Sequence, residues 1–162
     1  LGSFSVTPFP GLRVSYMVLP ICLIDRLCDK YCYERSFVPF LTQKTLELFM
    51  REGHWECHVR KTLKHQREKR DRIITALETE FGKRIQIHAK EAGLHLLAEA
   101  LWDTDEDDLV RRAARMDVGV EPVSSFWSRP ESQQQKSVLI NYGGIKKEDI
   151  PDAMSALTRA WK

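Results

Sequence analysis

The chain has 162 residues, 43% hydrophobic and 30% charged, with a net charge of +2. That is one domain's worth of core, and the near-neutral balance gives no general case for nucleic-acid binding by this stretch. No apolar run approaches the roughly 20 residues that a bilayer span needs, and the apolar-rich segment from Val18 to Leu27 contains Pro20 and Asp25.

Residues 2 to 11 hold Gly, Ser, Thr and two Pro, the chemistry of turns. Leu12 to Leu19 is rich in apolar and β-branched residues and reads as a buried strand. Pro20 permits a helix in which Ile21, Ile24, Leu27, Cys28 and Tyr31 recur at helical spacing; Ser36 to Pro39 ends it. A second helix is expected from about Thr42, an N-cap candidate, to the C-cap signal Gly53. A long helix then runs from His54 to Phe81, stopped by Gly82. It is apolar at both ends and charged from Lys64 to Arg72, a pattern suited to bridging two packed bodies.

The remainder alternates strands and helices. Strands are expected at Arg84–His88, Gly93–Ala98, Val118–Val123 and Ser137–Tyr142. A helix from Asp103 to Met116 opens on acids that suit the positive end of its dipole. Ser128 to Gln135 reads as a loop, and a closing helix runs from about Asp149 to Trp161 with Pro151 in its first turn. The pattern predicts an α+β domain, with a mixed or antiparallel sheet and helices on one side.

Several motifs together resemble one known family. Gly2-Ser3-Phe4-Ser5-Val6-Thr7-Pro8-Phe9-Pro10-Gly11-Leu12-Arg13, followed by an apolar stretch and Tyr16, is similar to the cofactor-lysine segment of fold-type I pyridoxal-phosphate (PLP) enzymes. Glu52-Gly53-His54-Trp55-Glu56-Cys57-His58-Val59-Arg60 looks like the E-G-H-x-E-x-H-x-R run of the MocR/GabR family. Ala92-Gly93-Leu94-His95-Leu96-Leu97 matches its A-G-L-H-L-L strand. Gln66 to Asp71, Gly119 to Ser124 and Asn141 to Ile145 resemble further family segments, in family order. Members are bacterial regulators that join a winged helix-turn-helix of the GntR type to an aminotransferase-like, PLP-binding domain.

The resemblance implies the small domain of the fold-type I aminotransferases. Residues 1–20 would end the large domain, 21–82 form a helical connector, and 83–162 form the α+β small domain. It implies a longer natural polypeptide, in keeping with a chain that begins with Leu, carrying the rest of the large domain and the DNA-binding head. A homodimer and an amino-compound effector are further implications. It also implies that Arg13, with Ser3 and Ser5, contacts the PLP phosphate, for which a forked guanidinium is well suited.

Val6 occupies the cofactor-lysine position. A Schiff base needs a primary amine, which valine lacks in every protonation state, so no catalytic residue is assigned and PLP retention by this chain alone is expected to be poor. The alternatives are part of a genuine aminotransferase acting on 2-amino acids, which would lack the winged-helix head, and an orphan non-catalytic binding domain.

Other clusters carry plainer readings. His54, Cys57 and His58 share helical faces, but Trp55 stands where a zincin would place Glu, so no metal is assigned. Cys28 and Cys32 read as core thiols, and the four cysteines (Cys22, Cys28, Cys32, Cys57) lack the spacing of a secreted disulfide framework, which suits a cytoplasmic protein. The basic run Arg60 to Arg72 contains Glu68 and Asp71, lacks interleaved aromatics, and reads as a solvated helix face. His88 and His95 read as core or interface histidines. Arg129 and Lys136 lie in a loop near the last strand, where aminotransferases place a carboxylate-binding Arg.

Overall fold

Helices form where the sequence repeats apolar residues three and four apart, and strands where it alternates them. A computed structural model describes residues 1–5, 10–31, 38–88, 90, 93–128 and 136–162. The elements are strands β1 (Gly2–Ser3) and β2 (Ser15–Tyr16), helices α1 (Ile21–Tyr31), α2 (Phe40–Arg51) and α3 (His54–Phe81), strands β3 (Ile85–His88) and β4 (His95–Ala100), helix α4 (Glu106–Ala114), strands β5 (Glu121–Pro122) and β6 (Ser137–Asn141), and helix α5 (Ile150–Trp161). The chain divides into two compact units, residues 1–64 and 65–162, and the division falls within α3.

In the second unit, four antiparallel strands pair in the order β3-β4-β6-β5. Register is set by alternation. Leu96, Ala98 and Ala100 of β4 are buried, and so are Val138 and Ile140 of β6. Leu96 lies opposite Ile140 and Ala98 opposite Val138, so one face of the sheet is apolar. Against it pack Ile73, Leu77 and Phe81 of α3, Leu109 and Ala113 of α4, and Ile150, Met154, Leu157 and Trp161 of α5, all in one core cluster. Trp161 is 2% exposed and its indole Nε1 donates to the Leu109 carbonyl at 3.1 Å, so the last helix is tied to α4 by a bond as well as by packing. The predicted α+β architecture, antiparallel sheet with helices on one face, is what the chain adopts.

Local signals explain most boundaries. Asp105 caps α4, accepting from the Asp108 N–H at 2.7 Å, a placement that suits a helix N-terminus. Gly53 and Gly82 follow α2 and α3 with φ of +75° and +55°, the left-handed geometry for which glycine is favoured. Pro151 sits in the first turn of α5.

The structure corrects several expectations. The strand expected over Leu12–Leu19 shrinks to Ser15–Tyr16, because its one ladder is with the two residues of β1; Tyr16, Met17 and Val18 are exposed. Helix α2 begins at Phe40, directly after Pro39, so Thr42 is inside the helix and caps nothing. Helix α4 is shorter than Asp103–Met116, and the Val118–Val123 strand reduces to two residues. Cys22 and Cys28 are exposed, because no described residue of this chain covers α1; Cys32 lies outside the described residues.

The charged middle of α3 is not a wholly solvated face either. Lys69 is 5% exposed and its Nζ donates to the Gly143 carbonyl at 3.2 Å, while Glu68 pairs with Lys147. The long methylene stem of Lys69 packs with the core while its head reaches a carbonyl. Of the two histidines, His88 is half-exposed and meets Glu99 at 2.8 Å, and His95 is exposed. No described helix is long and apolar enough to cross a membrane.

Candidate functional site

The first unit closes a loop between residues 5 and 14. Strands β1 and β2 pair antiparallel, Gly2 opposite Tyr16 and Ser3 opposite Ser15. A Cβ added at Gly2 would stand 2.4 Å from the Tyr16 ring, so glycine is what lets that ring lie across the strand. Beyond the ladder, the Phe4 N–H donates to the Val14 carbonyl at 2.9 Å.

The two serines close the neck. The Ser5 N–H donates to Ser3 Oγ at 3.1 Å, the Val14 N–H donates to Ser5 Oγ at 3.1 Å, and the Ser3 hydroxyl faces the Val14 carbonyl at 3.5 Å. Short hydroxyl side chains bond neighbouring backbone in this way and hold turns shut. The result brings Ser3 and Ser5 together beside Arg13, the residue before Val14.

Arg13 itself is unusual. It follows a 3-10 turn (Pro10–Leu12) with φ +51° while its side chain is exposed. A non-glycine residue in the left-handed region costs on the order of 1 kcal/mol, and here the bonds made on either side by Val14 hold it there. Rotating Arg13 this way redirects its side chain relative to an extended strand. Ser5 Oγ accepts one bond and keeps its own proton to donate. Arg13 and the Ser5 hydroxyl are groups able to donate to an oxyanion, and a guanidinium fork matches phosphate geometry.

An aromatic stack supports the neck. Phe4, between the two serines, meets Tyr16 at 5.3 Å and Trp55 of α3 edge-on at 5.1 Å. These rings place the loop against the start of the long helix. Sequence reasoning missed Phe4 and Trp55 as supports, although a phenylalanine flanked by two serines in a turn segment is a signal that the apolar side chain has a fixed berth.

Position 6 is valine, and Val6 with Thr7, Pro8 and Phe9 lies outside the described residues. Arg129 and the loop 129–135 also lie outside them, as does Ala92. Lys136 has a structural partner, its Nζ donating to the Trp102 carbonyl at 3.2 Å. His54 lies 3.5 Å from Glu52, and Cys57 is exposed. Among the described residues no group of three or more His, Cys, Asp or Glu is placed to hold a metal. The Tyr142 phenol is pushed above its ordinary range by burial, and its hydroxyl donates to the Gly93 carbonyl at 2.8 Å.

The donor set fits half of what PLP requires. Arg13 with Ser3 and Ser5 suits the phosphate group, whereas no amine stands at position 6 for covalent attachment.

No family model matches the chain. Along its whole length it is 30% identical to the HTH-type transcriptional regulator YdeL of Bacillus subtilis, covering 35% of that protein. It is 24% identical over 99% of its length to the probable rhizopine catabolism regulatory protein MocR of Rhizobium meliloti, covering 32% of it. It is 25% identical over its full length to a 2-aminoadipate transaminase of Thermus thermophilus, covering 40%. Among solved structures, the α-aminoadipate aminotransferase LysN of Thermus thermophilus superposes with a TM-score of 0.80 over 98% of this chain and 40% of that one, at 24% identity. The chain therefore spans about a third of the length of the regulators it matches. Its fold is that of the fold-type I aminotransferases, and from end to end it is similar to transcriptional regulators of the HTH type, MocR among them.

Proposed function

We propose that this chain is the effector-sensing portion of a PLP-dependent MocR-type regulator, catalytically inactive as it stands. The observation that carries the reading is the loop neck, where Ser3 and Ser5 close on Val14 beside a left-handed Arg13. In this reading the Arg13 guanidinium holds the cofactor phosphate, and the serine hydroxyls orient the loop and complete the donor set. When bound, PLP supplies an aldehyde that reacts with primary amines. Val6 offers no proton and no lone pair, so this chain contributes no internal amine to that chemistry.

An amino-compound effector would then act by binding one arrangement of the domain better than another, and the shift would reach a DNA-binding head carried elsewhere in a dimeric, cytoplasmic parent. DNA would be contacted only through that head. Taken alone, the 162-residue chain would retain PLP poorly, because most of the cofactor's surroundings would come from the rest of the parent. The likeness to a 2-aminoadipate transaminase favours a second reading, a genuine aminotransferase of 2-amino acids; Val6 counts against it.

The test is PLP binding to the full-length protein, with borohydride reduction followed by intact mass. The native protein binds PLP reversibly and gains no fixed mass at the loop, Val6→Lys gains it, and Arg13→Gln weakens reversible binding by tenfold or more. Fixed cofactor mass on the native loop peptide, or an Arg13→Gln protein that binds as well as the native one, overturns the proposal. Amino-group transfer to a 2-oxo acid by the native protein supports the enzyme instead.

A further inference from the structure

In the second unit, a cavity of about 230 Å³ lies among Ile73, Ile140, Ile150 and Met154, each under 10% exposed, and the polar residues on its wall are Asp117 and Asn141. An apolar cavity of about 150 Å³ accepts a benzene-sized guest in other proteins, so this one has room for a small branched aliphatic ligand. Its floor is hydrocarbon and its polar groups are few, the usual make-up of a small-molecule site.

Asp117 is what makes the cavity specific. It follows α4 in a closing motif, with Val118 N–H donating to the Ala113 carbonyl at 3.1 Å and Asp117 N–H to the Ala114 carbonyl at 3.1 Å. Its φ is +58°, the position at a helix end where glycine or asparagine is favoured. Aspartate carries a Cβ into that conformation, as asparagine would, and in addition its charge meets the negative end of the α4 dipole. Among the described residues, no hydrogen bond or ion pair engages its carboxylate to offset this. Asn141 is oriented differently: its Oδ1 accepts from the Gly143 N–H at 3.0 Å, which leaves its NH₂ as a donor.

We propose that this cavity binds a small branched aliphatic amine bearing a neutral hydrogen-bond acceptor, with the ammonium on Asp117, the acceptor on Asn141 and the hydrocarbon on the isoleucine floor. A ligand cation at Asp117 supplies an ion pair that the basic residues at the end of α4 do not make with it, Arg111 and Arg112 pairing with Asp108 instead. The site is separate from the Ser3–Ser5–Arg13 neck in sequence and in chemistry, since it selects a cation rather than a phosphate.

The probe is leucinol, added to cofactor-free full-length protein labelled at the methionine and isoleucine methyls. Methyl signals of Met154, Ile150 and Ile140 shift saturably, 4-methylpentanoate shifts none of them, and Asp117→Asn weakens leucinol binding tenfold or more. Asparagine is at home in this backbone conformation, so that variant keeps its fold. Ala153→Leu, which fills the cavity from α5, abolishes the shifts while Asp117 stays in place. The proposal is overturned by unmoved methyls in the native protein, by equal binding of the carboxylate, or by an Asp117→Asn protein with native affinity.

Discussion

Replacing Glu106 by Gln keeps the shape of a side chain that is 6% exposed and removes its charge. The carboxylate accepts from the backbone N–H of Val123 and from that of Ser124 at 3.0 Å, and it stands in the first turn of α4. It thereby fixes the 3-10 turn at Ser124–Phe126 against the helix start. Hydrogen bonds to a charged group contribute about 1.5–3 kcal/mol and neutral ones about 0.5–1.5, so losing the charge at two bonds removes about 2 kcal/mol. The lost interaction with the helix dipole adds about 0.3–1 kcal/mol. Glu106→Gln is therefore expected to destabilise by about 2–3 kcal/mol. Glu106→Ala leaves two backbone donors without their acceptor and is expected to cost more, about 3–4 kcal/mol. Urea unfolding of the full-length protein, followed by far-UV circular dichroism, reads both as midpoint shifts at constant slope. A Gln variant within about 0.5 kcal/mol of native, or an Ala variant no worse than Gln, refutes the assignment of Glu106 as the buried acceptor that joins these two segments.

Three further outcomes follow from other contacts. Trp55→Ala removes the edge-on partner of Phe4, a contact worth about 0.5–1.5 kcal/mol. It should weaken PLP binding about tenfold while leaving the much weaker binding of unphosphorylated pyridoxal unchanged, because the neck and not the ring site is loosened. Tyr142 is raised by burial, so the native state holds its proton more firmly than the unfolded state does. The stability this lends is present below the unfolded value of about 10 and is lost as pH climbs through the higher folded value. Tyr142→Phe should flatten that alkaline loss and cost about 1 kcal/mol at neutral pH, the worth of the bond to Gly93; pH-dependent urea midpoints check both. Asp117→Gly relieves the left-handed strain at φ +58° and is expected to raise stability by about 1 kcal/mol in the same assay; unchanged stability would show that aspartate sits there without strain.

Periodicity placed α1 and α5, because each repeats apolar residues on one face over three turns, and α3 was legible from its apolar ends and its stop at Gly82, directly after its last residue, Phe81. A strand is likewise expected over Gly93–Ala98 before any partner is known, and the structure places it two residues later, at His95–Ala100, where Leu96, Ala98 and Ala100 face the core. The Gly, Ser and Pro of residues 2 to 11 also announce a turn, whereas a phosphate-binding role for Ser3, Ser5 and Arg13 comes only from the family resemblance. What only the tertiary structure decided is where polar side chains go when nothing local dictates it. Lys69 belongs to a run of charges that reads as solvated, yet the Gly143 carbonyl, 74 residues away in sequence, takes its ammonium into the core. Glu106 reads as one more acid at a helix start until the Val123 and Ser124 amides are seen to converge on it. Cys28 reads as a core thiol from its amphipathic helix, because hydrophobic pattern reports which face of a helix seeks burial but not whether this chain supplies the cover. Local sequence sets the elements through short-range sterics and spacing; long-range pairing of single buried groups depends on which loops fold back, and that is a property of the assembled chain.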